Sequence, residues 1–199
     1  LAVQILYSIA GLVLVAYPFL VYFGITHWNV RPVAIGIGSL MLLRLLFFKD
    51  HKTLAKYILA TAGAGLLLNG FAAYFESEIL LKSYPIAVNV LLVIAFAISL
   101  FKGPPIIEIL ARLSEKNLPP SALIYCRKLT MVWVGFFIIN MAAAAFTMLY
   151  CSHQAWALYN GFISYVLIGA LFFGERLYRR TKKSLTLNQF LFSPLKDVT

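Results

Sequence analysis

The chain has 199 residues, of which 62% are hydrophobic and 12% are charged, and its formal net charge is +10. An ordinary soluble domain is excluded, because a fold of this length has too little interior to bury so much apolar surface. Most of the positive charge lies beside apolar runs rather than on a separate basic domain, which favours anionic lipid headgroups and argues against nucleic acid as the partner.

Six long apolar runs follow one another along the chain. Each is close to the roughly 20 residues that a helix needs to cross the hydrocarbon core, and helices satisfy their backbone polar groups internally. The sequence therefore predicts an all-α polytopic membrane protein with six transmembrane helices, five being the alternative count. The transmembrane domain is predicted at 1–175 and a basic tail at 176–199. The predicted spans are 2–26, 33–48, 54–75, 84–101, 129–150 and 156–174.

The positive charges predict the orientation. All but two of the 17 Lys and Arg residues fall in 44–56, in 102–128 or beyond 175, which are alternate gaps between the apolar runs. By the positive-inside rule, both termini and the loop 102–128 are predicted to be cytoplasmic. An aromatic belt is predicted at the opposite ends of the spans, formed by Trp28, Tyr74, Tyr84, Tyr150 and Trp156.

The residues that usually bind metals or form disulfides are scattered. In the predicted topology Cys126 is cytoplasmic and Cys151 lies at the far side, so the bilayer keeps them from forming a disulfide. No Cys or His neighbour stands at metal-ligand spacing from either, and the three histidines are isolated from one another in sequence. We therefore predict no metal site and no cofactor, and the sequence shows no catalytic motif.

Four asparagines fall within predicted spans: Asn69, Asn89, Asn140 and Asn160. An amide in hydrocarbon needs a partner inside the helix bundle. One interpretation is that these amides hold helices together, each contributing roughly 0.6–2 kcal/mol of association. The other is that they line a polar cavity for a headgroup or a carried molecule.

Glycines and prolines suggest where helices approach or bend. Gly36 with Gly38, and Gly63 with Gly65, predict close helix approach. The step Tyr17-Pro18 is echoed by Tyr84-Pro85, which hints at a duplication with inverted orientation.

The loop 102–128 contains a predicted amphipathic helix on the cytoplasmic membrane surface, ending before Pro119. Ile106, Ile109, Leu110 and Leu113 share one face by their helical spacing. Glu108 and Arg112 are expected as a surface pair on the other side. With Arg127 and Lys128 these residues form a candidate interaction surface, or else a solvated helix without a partner. The surface comprises Ile106, Glu108, Ile109, Leu110, Arg112, Leu113, Arg127 and Lys128.

Several stretches resemble a known family. They are Pro105-Ile-Ile-Glu-Ile-Leu, Leu118-Pro-Pro, Arg127-Lys-Leu-Thr-Met-Val-Trp-Val-Gly-Phe-Phe-Ile-Ile-Asn140 and Trp156-Ala-Leu-Tyr-Asn-Gly. Over roughly 84–180, the chain resembles the intracellular septation protein A family. It is still more similar to related small membrane proteins found alongside acyl-carrier and ketosynthase proteins of aryl-polyene-type pathways. The resemblance implies an inner-membrane protein of division and envelope maintenance, or of lipid-like product assembly.

Three classes of function follow from these observations. The first is a non-enzymatic membrane partner or scaffold that recruits a membrane or acyl-carrier-type protein at its cytoplasmic face. The second is a transporter or flippase of a lipid-like molecule. The third is a membrane enzyme on acyl or prenyl substrates. Its candidate residues would be Glu108, Arg112, Glu115, Arg127 and Glu175.

Overall fold

The protein is built from helices. A computed structural model describes residues 16–48, 55–114 and 118–191, with side chains described for 16–42, 59–112 and 118–178. Every regular element within these ranges is helical, so this is an all-α membrane protein. The elements are α1 (16–27), α2 (Val30–Phe48), α3 (Ala55–Phe75), α4 (Glu78–Lys82), α5 (Tyr84–Lys102), α6 (Ile106–Ser114), α7 (Pro120–Tyr150), α8 (His153–Leu158), a π-helical segment (Tyr159–Ile163) and α9 (Ser164–Leu191).

Three stretches of the described chain are long and apolar enough to cross a membrane: Tyr84–Lys102, Pro120–Tyr150 and His153–Tyr178. Shorter apolar stretches occupy Val30–Leu42 and Leu59–Phe75. These positions agree with five of the predicted spans, and most of the first predicted span, 2–26, lies outside the described residues. Six crossings and cytoplasmic termini therefore remain predictions.

Short polar residues and prolines set the helix boundaries. The Ser77 hydroxyl accepts a hydrogen bond from the Leu80 amide at the start of α4, and the Ser152 hydroxyl accepts one from the Ala155 amide at the start of α8. Pro85 and Pro120 lie in the first turns of α5 and α7, where a missing N–H costs little. Two helical hairpins result, with α2 packed along α3 and α5 packed along α7.

Two helices continue beyond the span ends predicted from the sequence. The loop predicted at 102–128 is shorter, because α7 already begins at Pro120 and continues for 31 residues. The fold therefore places Cys126 in a helix, where its side chain is buried. The predicted tail at 176–199 also begins as helix, since α9 continues to Leu191. Residues 192–199 lie outside the described chain.

The described side chains form two buried apolar clusters. One joins α1, α2 and α3 to α4, α5 and α8, and its largest fully buried side chains include Trp156, Tyr17 and Met41. The other centres on Leu129, Trp133 and Phe137 of α7. Trp133 also reaches α9, where its ring lies 4.7 Å from that of Phe172. The α7–α9 contact is therefore largely aromatic.

The five aromatic residues predicted to form the belt differ in their exposure. Trp28, Tyr74 and Tyr150 are exposed by 72%, 78% and 76%, as interfacial aromatics should be. Tyr84 and Trp156, in contrast, are 2% and 1% exposed and belong to the core. The prediction was wrong for these two because sequence position gives the depth of a side chain along a helix but not the direction in which it points.

The two ends of the bundle differ in composition and are called the hairpin end and the basic end. The hairpin end carries 28–31, 76–83 and 150–153, which the Arg31–Glu76 ion pair and the His153–Glu78 contact bring together. The basic end carries α6 and the first turns of α7.

The burial of Cys126 determines how the orientation can be tested. In spheroplasts, a membrane-impermeant maleimide is expected to label the partly exposed Cys151 at the hairpin end. A Cys126→Ser, Cys151→Ser, Arg127→Cys variant should be labelled only after the membrane is opened, because Arg127 is exposed at the basic end. Labelling of the introduced cysteine in sealed spheroplasts, together with no labelling of Cys151 in the parent protein, would reverse the orientation.

Candidate functional site

The predicted residues form two separate groups: a surface at the basic end and a set of amides within the bundle. The surface depends on how α6 is held. The backbone amide of Ile106 donates to the hydroxyl of Ser99 on α5 at 3.1 Å, which ties the start of α6 to α5. The remainder of α6 packs against α7.

Glu108 does not occupy the position predicted for it. It was expected as an exposed residue on the polar side of the helix, but it is only 8% exposed and faces the bundle. Both Nε and Nη2 of Arg112 contact its Oε1, at 2.9 and 2.8 Å, so the buried carboxylate has a cationic partner. The i,i+4 pairing was confirmed. Its burial was not predicted, because helical spacing alone placed Glu108 opposite the apolar face.

The other members of the surface divide by exposure. Leu110 is 45% exposed, and Arg112, Arg127 and Lys128 are also exposed. Ile106 and Ile109 are half-buried. The side chain of Leu113 lies outside the described residues. Leu110 and the three cations therefore form the accessible part of the surface, which we call the basic-end surface.

A groove of about 300 Å³ borders the basic-end surface, between α6, α7 and α9. Its lining is mostly apolar and includes Ile107, Leu110, Trp133 and Phe172. Glu175 is the acidic residue of this lining, and its Oε1 accepts a hydrogen bond from the Tyr125 hydroxyl at 3.2 Å. The groove thus offers an apolar floor beside exposed cations.

Of the predicted enzyme set, Glu108 and Arg112 form the α6 pair, whereas Glu175 is hydrogen-bonded to Tyr125. Arg127 is exposed on α7, and Glu115 lies outside the described residues.

The intramembrane amides are partly brought together. Asn140 Nδ2 donates to Asn89 Oδ1 at 3.1 Å, which joins α7 to α5. The Tyr159 hydroxyl donates to Asn140 Oδ1 at 2.9 Å, which joins the π-helical segment to the same network. Asn89 Nδ2 donates a hydrogen bond within α5, to the carbonyl of Pro85. Three elements are therefore linked through one amide.

Asn160 lies close to this network and Asn69 lies apart from it. Asn160 Nδ2 donates to the Trp156 carbonyl at 2.9 Å and to Thr147 Oγ1 at 3.3 Å. Asn69 Nδ2 donates to the Gly65 carbonyl at 2.7 Å within α3. Asn89, Asn140 and Asn160 border one cavity, whereas Asn69 is not part of its lining.

These hydrogen bonds have a structural consequence. An amide that bridges two membrane helices contributes about 0.6–2 kcal/mol to their association. The Asn89–Asn140–Tyr159 network can therefore hold α5, α7 and the π-helical segment in register. The same amides also border a cavity. The two interpretations of these residues, helix association and ligand binding, are therefore compatible.

A third polar group was missed by sequence reasoning. Lys82 is only 6% exposed, and its Nζ lies 3.1 Å from His153 Nδ1 and 3.9 Å from Glu78 Oε2. Because an ammonium group can only donate, His153 Nδ1 must accept. His153 Nε2 then carries the proton and faces Glu78 Oε2 at 3.3 Å. This Lys82–His153–Glu78 clamp joins α4 to α8.

A sequence signal for the clamp existed. Lys82 is one of only two cations outside the three basic regions, and Glu78 precedes it by four residues. Nothing in the sequence pointed to His153, which is 71 residues further along the chain.

The fold and these contacts define a helical membrane protein in which several polar groups of the described chain join helices. No family model matches the chain, and no solved structure matches it. The chain is similar to the inner membrane-spanning protein YciB of Mannheimia succiniciproducens, with 29% identity over 164 residues. The similarity covers 80% of this chain and 86% of that protein, and it supports the resemblance to the septation protein family.

Proposed function

We propose that this chain is a non-enzymatic inner-membrane protein of the cell envelope that recruits a partner protein through its basic-end surface. The observation that carries the proposal is the attachment of α6 to the bundle, through the Ile106–Ser99 hydrogen bond to α5 and through packing against α7. The Glu108–Arg112 pair supports the helix itself, so that Leu110 and the flanking cations are presented on an ordered element. A preorganised surface loses less conformational entropy on binding than a solvated loop does.

The similarity to YciB supports the location and the envelope role, because it extends over most of both chains. The septation protein resemblance points in the same direction and favours a role in division or envelope maintenance. Association with acyl-carrier-type proteins is the more specific form of the proposal. It fits the charge, since exposed Arg127 and Lys128 suit an acidic partner.

Site-specific photo-crosslinking tests this proposal. A photoreactive amino acid in place of Leu110 is expected to give a discrete adduct with an acidic protein of the envelope or division machinery, or with an acyl carrier protein. The same group in place of Ile94, which is 49% exposed on the α5 surface, should give lipid adducts only. Adducts should weaken as salt is raised, because the surface pairs are screened.

Substitution provides the second arm of the test. Leu110→Asp should abolish the Leu110-dependent complex, measured by co-purification through a tag. Ile124→Asp is the matched control, since Ile124 is an exposed apolar residue on the same end but outside the basic-end surface. If both variants retain the partner, or if Leu110 crosslinks only to lipid, the recruitment proposal is overturned.

A further inference from the structure

The cavity bordered by the amides lies among α1, α5, α7, the π-helical segment and α9, and has a volume of about 300 Å³. Its lining combines aromatic and aliphatic side chains with the polar residues Tyr17, Asn89, Asn140, Asn160 and Ser164. Taking about 30 Å³ for each water molecule, the space holds roughly ten water-sized groups. It can therefore accommodate a small polar head and the first part of an attached chain.

Backbone irregularities surround this cavity. Pro18 and Pro85, which follow the two tyrosines Tyr17 and Tyr84, both border it, and the tyrosine rings lie 4.6 Å apart. The π-helical segment contributes Asn160. Short π-helical segments within α-helices often occur at functional sites, because the extra residue redirects nearby side chains.

Asn160 carries an acceptor that the described residues leave available. Its two amide hydrogens are directed to the Trp156 carbonyl and to Thr147 Oγ1, which assigns Nδ2 to that side. Among the described residues, Oδ1 then accepts no hydrogen bond, although Asn160 is only 5% exposed. An available acceptor on a side chain that borders the cavity favours a ligand that brings a hydrogen-bond donor.

The charge of the lining restricts the ligand further. The residues that line the cavity include no Asp, Glu, Lys, Arg or His. A phosphate or carboxylate placed there would be buried without a counter-charge, which is strongly unfavourable. A neutral hydroxyl group meets both requirements, since it can donate to Asn160 Oδ1 without carrying a charge.

We propose that this cavity binds an uncharged amphiphile with a hydroxyl headgroup, of the chemical class of a long-chain alcohol or a diacylglycerol. The hydroxyl donates to Asn160 Oδ1, and the start of the chain lies against the apolar lining. This inference is independent of partner recruitment, which involves the basic-end surface and none of the residues that line the cavity.

Photoaffinity labelling tests the site with three probes of equal chain length: a long-chain alcohol, the corresponding fatty acid and the corresponding alkane. Each carries a diazirine at the same position near one end, which is the polar end in the alcohol and in the acid. The full chain is purified in detergent and labelled peptides are identified by mass spectrometry. The alcohol is expected to label peptides that contain Asn89 or Asn160, several-fold above the other two probes. Equal labelling by all three probes, or labelling confined to the lipid-facing surface, would show that no such site exists.

Matched variants locate the binding. Val88→Phe should fill the cavity and remove the alcohol-specific labelling, whereas Val90→Phe, two residues away and 38% exposed, should label like the parent protein. Asn160→Leu should weaken labelling roughly fivefold through the loss of one hydrogen bond. If Asn160→Leu fails to fold, the comparison of alcohol labelling between Val88→Phe and Val90→Phe tests the proposal by itself. Undiminished alcohol labelling in Val88→Phe overturns the proposal and leaves water as the occupant.

Discussion

His153→Ala is expected to destabilise the protein, whereas Lys82→Met is expected to be tolerated. In the first variant the ammonium group of Lys82 remains buried but loses its nearest hydrogen-bond acceptor. Leaving a buried polar group unsatisfied costs about 1–3 kcal/mol, and more for a charged group. In the second variant no buried charge is left unpaired, since His153 and Glu78 are both partly exposed, and an unbranched apolar side chain of similar length occupies the same space.

The measurement is thermal unfolding in detergent, followed by near-UV circular dichroism, for each single variant and for the pair together. The midpoint of unfolding of the double variant should be close to that of Lys82→Met, because His153 no longer has the Lys82 ammonium group to accept a hydrogen bond from. Glu78→Gln should have a smaller effect than His153→Ala, since the Lys82–Glu78 distance of 3.9 Å is long and Glu78 is half-exposed. Equal destabilisation by Lys82→Met and His153→Ala would show that the clamp acts through packing and not through pairing.

The clamp also illustrates what the sequence could and could not predict. Long apolar runs and the distribution of charge predicted an all-α membrane protein, because length and hydropathy are properties of a segment by itself. The buried positions of Glu108 and Lys82 depend on which element lies opposite. A pattern within one helix carries no information about its neighbours.

The four asparagines also had one property that the sequence could predict and one that it could not. Their need for partners could be predicted from chemistry, since hydrocarbon offers none. That Asn140 would pair with Asn89 and Tyr159, while Asn69 would bond within α3, depended on helix rotation. The π-helical segment was not predicted either, because an extra residue in one turn leaves no clear mark in a uniformly apolar stretch.

Close helix approach was expected at four glycines, of which Gly38 and Gly65 lie against a neighbouring helix. A Cβ on Gly36 or Gly63 would meet nothing within 4 Å, so these positions do not require glycine for packing. Gly65 is closer to expectation, since its Cβ would lie 3.0 Å from the Tyr84 ring. The tightest contacts are at Gly24 and Gly161, which spacing rules did not select.

Gly24→Ala is expected to cost about 1–3 kcal/mol through overpacking. A Cβ at this position would lie 2.5 Å from Cγ1 and 2.6 Å from Cγ2 of Val33. Val33 cannot easily move aside, because it is 7% exposed and its β-branched side chain has restricted rotamers. The substitution must therefore separate α1 from α2 near the turn that joins them.

Gly36→Ala is the matched control on the facing helix. It adds the same methyl group into open space and improves helix propensity by up to about 1 kcal/mol, so its midpoint of unfolding should be equal or higher. Combining Gly24→Ala with Val33→Ala should restore much of the lost stability, because the colliding methyl groups are gone while only a small apolar side chain is lost. Rescue by Val33→Ala would assign the cost to the α1–α2 contact. An unchanged midpoint in Gly24→Ala would mean that α1 does not lie this close to α2, and the position of Tyr17 beside the polar cavity would then have to be revised, since α1 carries that residue.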